Sequence, residues 1–171
     1  MPDAPLILTL KLDTQTQQYF DDLRRQHFPP ERNYLDAHLT LFHHLPAHEL
    51  QLITDIEIAA QTYPKLQLGV TEIKSIGNGV AFKIECPKLL QLHLYLQKQW
   101  VQWLIPQDRQ KLWPHVTVQN KVDPAQAMLL KSRLEQNFKP FEATGNGLSL
   151  FEYRGGPWKF IRNFEFRGQD T

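Results

Sequence analysis

The first strand-like run alternates: in "LILTLKLD", Leu6, Leu8, Leu10 and Leu12 fall on one side and Ile7, Thr9 and Lys11 on the other. Period two marks a half-buried strand. Next, Tyr19, Phe20, Leu23 and His27 recur at helical spacing after the capping residues Asp13 and Thr14, and Pro29 and Pro30 stop the run. This predicts a helix from about Thr14 to His27. "AHLTLF" returns to alternation, "AHELQLITDIEIAAQTY" reads as a helix ended near Pro64, and "LQLGVTEIKSI" and "VAFKIEC" flank "GNG" as the arms of a hairpin.

After that hairpin the plan starts again. "PKLLQLHLYLQKQWVQWL" predicts a helix with Pro87 in its first turn, "HVTVQ" a strand, and "DPAQAMLLKSRLEQNF" a helix capped by Asp123. A second hairpin follows, with arms "FEATGNGLSLFEY" and "WKFIRNFEF" joined by "RGGP". Each half thus reads as helix, His-containing strand, helix and hairpin. We expect an α+β chain of pseudo-twofold organisation, one two-lobed domain over residues 1–171.

Both inner strands carry the tetrad His-apolar-Thr-apolar: His38 and Thr40 in "HLTL", His115 and Thr117 in "HVTV". Residues two apart on a strand share a face, so each strand offers an imidazole and a hydroxyl to a cleft and two apolar side chains to a core. Composition alone supplies about 0.07 such tetrads in a chain like this. Two imidazoles around one small volume suit a reaction that needs a base and an acid together near neutral pH. With two threonine hydroxyls to hold non-bridging oxygens they match a phosphodiester, without a metal or other cofactor.

His38, His43, His44 and His48 cluster in "HLTLFHHLPAH", but their spacing matches no common zinc pattern. Strand parity puts His44 on the cleft rim with His38, and leaves His43, His48 and His93 as surface or packing residues. Further rim candidates are Phe42, Gln119, Tyr153, Arg154 and Trp158, the last because it follows the loop "RGGP" and could stack on a base. Trp100, Trp103 and Trp113 read as packing.

The chain has 171 residues, 42% apolar and 22% charged, with a formal charge of +1. A long polyanion normally meets a strongly basic face, so the expected ligand is a small nucleotide or an RNA end, not long nucleic acid. Cys86 is the lone cysteine, so no intrachain disulfide can form. The N-terminal run lacks a basic region and is broken by Thr9 and Lys11, unlike a signal peptide or membrane span. A cytoplasmic monomer, apart from any membrane, is the expectation.

The two tetrads, in this order of elements, resemble the two-histidine phosphoesterase superfamily of 2′-5′ RNA ligase-like proteins and cyclic nucleotide phosphodiesterases. The resemblance implies a bilobal fold with two antiparallel sheets lining a central cleft and helices outside. It implies metal-independent chemistry on 2′,3′-cyclic phosphates or 2′-5′ linkages, with His115 as base, His38 as acid and Thr40 and Thr117 on the phosphate. Hydrolysis of a 2′,3′-cyclic phosphate is the leading expectation; a non-catalytic nucleotide-binding module and a 2′-5′ RNA ligase are the alternatives. Members that join or cut RNA often carry an arginine after the second tetrad, where this chain has Gln119 and Lys121.

Overall fold

The structure is a computed structural model, and it describes residues 3–170. Seven strands and four helices follow one another as β1 (Leu6–Leu12), α1 (Thr14–His27), β2 (Leu39–Leu45), α2 (Leu50–Thr62), β3 (Leu66–Ser75), β4 (Val80–Glu85), α3 (Pro87–Gln99), β5 (His115–Gln119), α4 (Pro124–Asn137), β6 (Phe141–Tyr153) and β7 (Trp158–Glu165). Two 3-10 turns, Pro30–Arg32 and Pro106–Arg109, precede β2 and β5. The helix expected to run to Leu104 stops at Gln99, where Trp100 turns into the core and its indole N–H donates to Asp55 at 2.9 Å.

All pairings are antiparallel, and hydrogen bonds join the seven strands into one sheet. This corrects the expectation of two separate sheets. The joint is β6: Phe141–Gly145 pair with β3, and Gly147–Tyr153 pair with β7. At the crossing point Gly147 is required, because a Cβ there would lie 2.3 Å from the Phe164 carbonyl oxygen. The lobes are therefore β2-β1-β6-β7 and β5-β4-β3-β6, sharing one strand.

The hairpins are also exchanged relative to the sequence reading. The hairpin β3–β4 belongs with β5 of the second half, and β6–β7 with β1 of the first. Helices exchange likewise: Phe20 of α1 packs edge-on to Phe82 of β4, while His93 of α3 stacks on Phe42 of β2. Interleaving ties the halves into one apolar cluster and brings β2 and β5, the ends of the sheet path, into contact. No helix among the described residues is long and apolar enough to cross a membrane.

Candidate active site

The strand parity read from the tetrads holds where it matters. His38 and Thr40 are half-buried beside fully buried Leu39 and Leu41; His115 and Thr117 are half-buried beside fully buried Val116 and Val118. Each imidazole is fixed in the same way. Nδ1 of His38 donates to the Asp36 carbonyl at 2.8 Å and Nδ1 of His115 to the Trp113 carbonyl at 2.7 Å, in both cases two residues back. A carbonyl only accepts, so the proton sits on Nδ1 and each Nε2 is left free for chemistry.

Helix α1 holds the approach to His38. Asp21 accepts the Ala37 N–H at 2.8 Å and Gln17 donates to the Ala37 carbonyl at 2.7 Å. Behind the pair lies Arg24, only 4% exposed, which donates to Asn33 at 2.7 Å and to the Thr117 carbonyl at 3.3 Å and covers Phe28 at 3.9 Å. Burial lowers its pKa to about 10 against the opposing pull of Asp21 and Asp36. It remains a cation. Nothing in the helical pattern distinguished it from the neighbouring Arg25.

Each histidine also has a tryptophan. Trp158 lies 4.6 Å from His38 between ring centres, tilted by 48°, and Trp113 stacks on His115 at 4.3 Å and 25°. Trp158 is thus in place, whereas Trp113 is no packing residue: it is 40% exposed beside the site. Between His38 and Trp158 opens a groove of about 350 Å³ walled by Tyr34, Phe151 and Phe160. A larger cavity, about 790 Å³, involves Tyr19, Lys65 and Phe141 and none of these histidines.

Two rim assignments, Phe42 and Gln119, need correction. Phe42 is fully buried between His93 and Trp100, because β2 carries register shifts against β1: Thr9 pairs Thr40 but Leu8 pairs Phe42 and Leu6 pairs Leu45. A bulge adds one residue and turns the following side chain to the other face. The same shifts remove the parity argument for His44, and both it and His43 are exposed. Gln119 is rotated by a bulge on β5, where Val80 pairs Gln119 and Ala81 pairs Thr117. A Cβ on neighbouring Gly79 would lie 1.9 Å from the Gln119 carbonyl oxygen, so β4 and β5 approach this closely only with glycine. Gln119 is buried beside Arg25 and Arg133, away from the histidine pair.

Tyr153 is 42% exposed and pairs with Trp158 across the last hairpin, and Arg154 is bonded to Glu152 at 2.9 Å. Neither lines the groove. Among the described residues no group of three or more His, Cys, Asp or Glu side chains is placed to hold a metal ion.

Burial, with help from the charges of Arg24, His115 and His43, pushes the His38 pKa down to about 4, against the Asp36 hydrogen bond. Burial lowers His115 as well, aided by His43. Near neutral pH burial therefore favours the unprotonated form of both rings. The same displacement appears in stability. The unfolded chain takes up the His38 proton near pH 6.5 and the folded protein only near 4, so folding weakens as pH falls through that window. His38→Ala should lose less stability than wild type between pH 6.5 and 4.5 in urea titrations. Equal losses would show that His38 is not the acid-sensitive group.

A family profile described as the 2′-5′ RNA ligase superfamily matches residues 12–157. The chain belongs to this superfamily. Its fold agrees: TT0787, a protein of Thermus thermophilus, superposes with a TM-score of 0.68 at 17% identity over 97% of this chain and 100% of that one. E. coli LigT complexed with 3′-AMP gives 0.63 at 18% identity over 98% and 99%. A protein described as a phosphoesterase gives the same score and identity over 98% and 99%. A comparison with curated proteins gave no match. The superfamily's chemistry makes the chain a phosphodiester-acting enzyme.

Proposed function

We propose that the protein hydrolyses the 2′,3′-cyclic phosphate of a nucleotide or RNA 3′ end without a metal, and that residues 1–171 act as one two-lobed catalytic unit. The observation that carries this reading is the pair of imidazoles on touching strands, each held at Nδ1 by a main-chain carbonyl with Nε2 free. In the assignment the family suggests, His115 takes the proton of the attacking water and His38 gives one to the departing 3′ oxygen. Because His38 resists a proton in the free protein, the substrate's own negative charge has to favour that proton, which couples binding to activation.

The threonines face the same space and suit the non-bridging oxygens, whose charge rises in the transition state. A base held on Trp158 would sit beside His38, and the 3′-AMP bound by the LigT relative is a nucleotide of the expected size. Turnover of 2′,3′-cyclic mononucleotides and of cyclic-phosphate-ended oligonucleotides, measured beside direct binding, tests the reading. Binding of both classes without turnover would instead support a nucleotide-binding module, and joining of RNA ends would support the ligase alternative. Thr40→Val and Thr117→Val keep the branched shape but delete a donor, and a hydrogen bond to a charged group contributes about 1.5–3 kcal/mol. Each should slow turnover by roughly ten- to hundredfold. Unchanged kinetics in both variants would reduce the threonines to strand formers.

A further inference from the structure

His43 has no part in the two-histidine mechanism, yet it is firmly braced. Asp108, in the 3-10 turn before β5, is 2% exposed and accepts the main-chain N–H groups of His43 and His44 and Nδ1 of His43, each at 2.9 Å. The carboxyl is held below its usual range: burial raises it, but the hydrogen bonds from His43 and His44 more than offset that. An ionised carboxylate on Nδ1 fixes the ring, as carboxylates do for working histidines elsewhere, and in the protonated ring it leaves Nε2 as the open donor. The His43 side chain is 45% exposed. It is ordered like a functional group and yet open to solvent.

Its place on the strand limits what it can do. His43 lies three residues beyond Thr40 on β2, which is at most about 10 Å along a strand. That is of the order of the distance to a neighbouring phosphate in a nucleotide chain. Leu41 and Phe42 are both buried at the register shift, and His43 beyond them comes back out of the core on β2, as Thr40 does before them.

We propose that His43, oriented by Asp108, is a second anion-binding point of the cleft that holds the substrate phosphate next to the reacting one. The preferred substrate is then a nucleotide-chain end or a nucleotide with a second phosphate, not a bare nucleoside cyclic phosphate. This rests on the phosphoesterase reading, and Asp108 is a positioning residue.

The test compares adenosine 2′,3′-cyclic phosphate with the same compound carrying a 5′-phosphate, using the full chain. Wild type should favour the 5′-phosphorylated substrate by about tenfold or more in kcat/KM. In His43→Gln that ratio should fall toward one, mainly through KM, and Asp108→Asn should move it in the same direction by less. Binding of adenosine 3′-phosphate and adenosine 3′,5′-bisphosphate, measured calorimetrically on both proteins, reads the same site without turnover. If neither cyclic compound is turned over, the hydrolase reading fails while the binding pair still decides this one. Equal affinity of wild type for the two adenosine phosphates, or a preference that survives in His43→Gln and in the apolar variant His43→Phe, would overturn the inference.

Discussion

His38→Ala and His115→Ala should each cost about 10²–10⁴-fold in turnover of a 2′,3′-cyclic nucleotide, the range that positioned acid and base groups supply. Both side chains are half-buried at strand beginnings and bond only to a carbonyl two residues back, so the fold should survive and the far-ultraviolet spectrum should match wild type. The double variant should be little worse than either single one, because one half of a coupled proton transfer is useless without the other. Wild-type kcat/KM should trace a bell whose optimum lies on the acid side of pH 6.5, since burial lowers both rings in the free protein. The kcat optimum should lie higher, because the bound phosphate favours the proton on His38. In the residual activity, His115→Ala should flatten the acidic limb and His38→Ala the basic limb. The opposite pattern would exchange the two roles, and near wild-type rates in either variant would sink the mechanism.

What the sequence made legible was whatever depends on local periodicity. The alternation of "HLTL" and "HVTV" placed four side chains on the faces they occupy, and capping and proline signals located α1, α2 and α4 to within a few residues. The family resemblance drawn from those tetrads is borne out by the profile match and the fold. Parity failed at Phe42, two residues past Thr40, and again at Gln119, in both cases at a bulge. A bulge is set by the partner strand, so the strand's own pattern carries no trace of it. The exchange of hairpins between lobes was hidden for a related reason. A hairpin records which strands are neighbours in sequence but not which sheet edge receives them. Asp108 and Arg24 were invisible because each matters only through a residue far along the chain: His43, 65 positions away, and Thr117, 93 positions away.

These corrections change what the cleft is made of. Strand parity alone would build its rim from Phe42, His44 and Gln119. The structure buries Phe42 and Gln119 and sets one tryptophan against each catalytic candidate: Trp158, already read as a rim residue, and Trp113. A flat ring on an imidazole restricts its rotation and excludes water from one side, which favours the dry, fixed geometry that proton transfer needs. The groove beside Trp158 then gives the nucleoside a place on the His38 side of the phosphate, where the departing oxygen of the proposed reaction would lie.

The distinction between rim and core separates two aromatic residues that a sequence treats alike. Phe42→Ala should destabilise the protein by about 3–5 kcal/mol, the usual cost of removing a buried phenylalanine ring. Phe42 is fully buried, stacked on His93 at 4.6 Å and 16° and edge-on to Trp100 at 5.0 Å. Its loss opens a cavity where β2, α3 and the turn after α3 meet. Against a total stability of about 5–15 kcal/mol this is a large fraction, and denaturation in urea should report it as a fall in midpoint with little change in slope. Since β2 carries His38, catalysis should decline only as the folded fraction declines. Trp158→Ala should behave in the reverse way. The residue is partly exposed and touches His38 and Phe151, so stability should change little while KM for a cyclic nucleotide rises. Stacking of about 1–3 kcal/mol corresponds to roughly 5- to 150-fold. A Phe42→Ala protein as stable as wild type but with raised KM would return Phe42 to the rim. A Trp158→Ala protein with unaltered KM and kcat would remove the base from the groove beside His38.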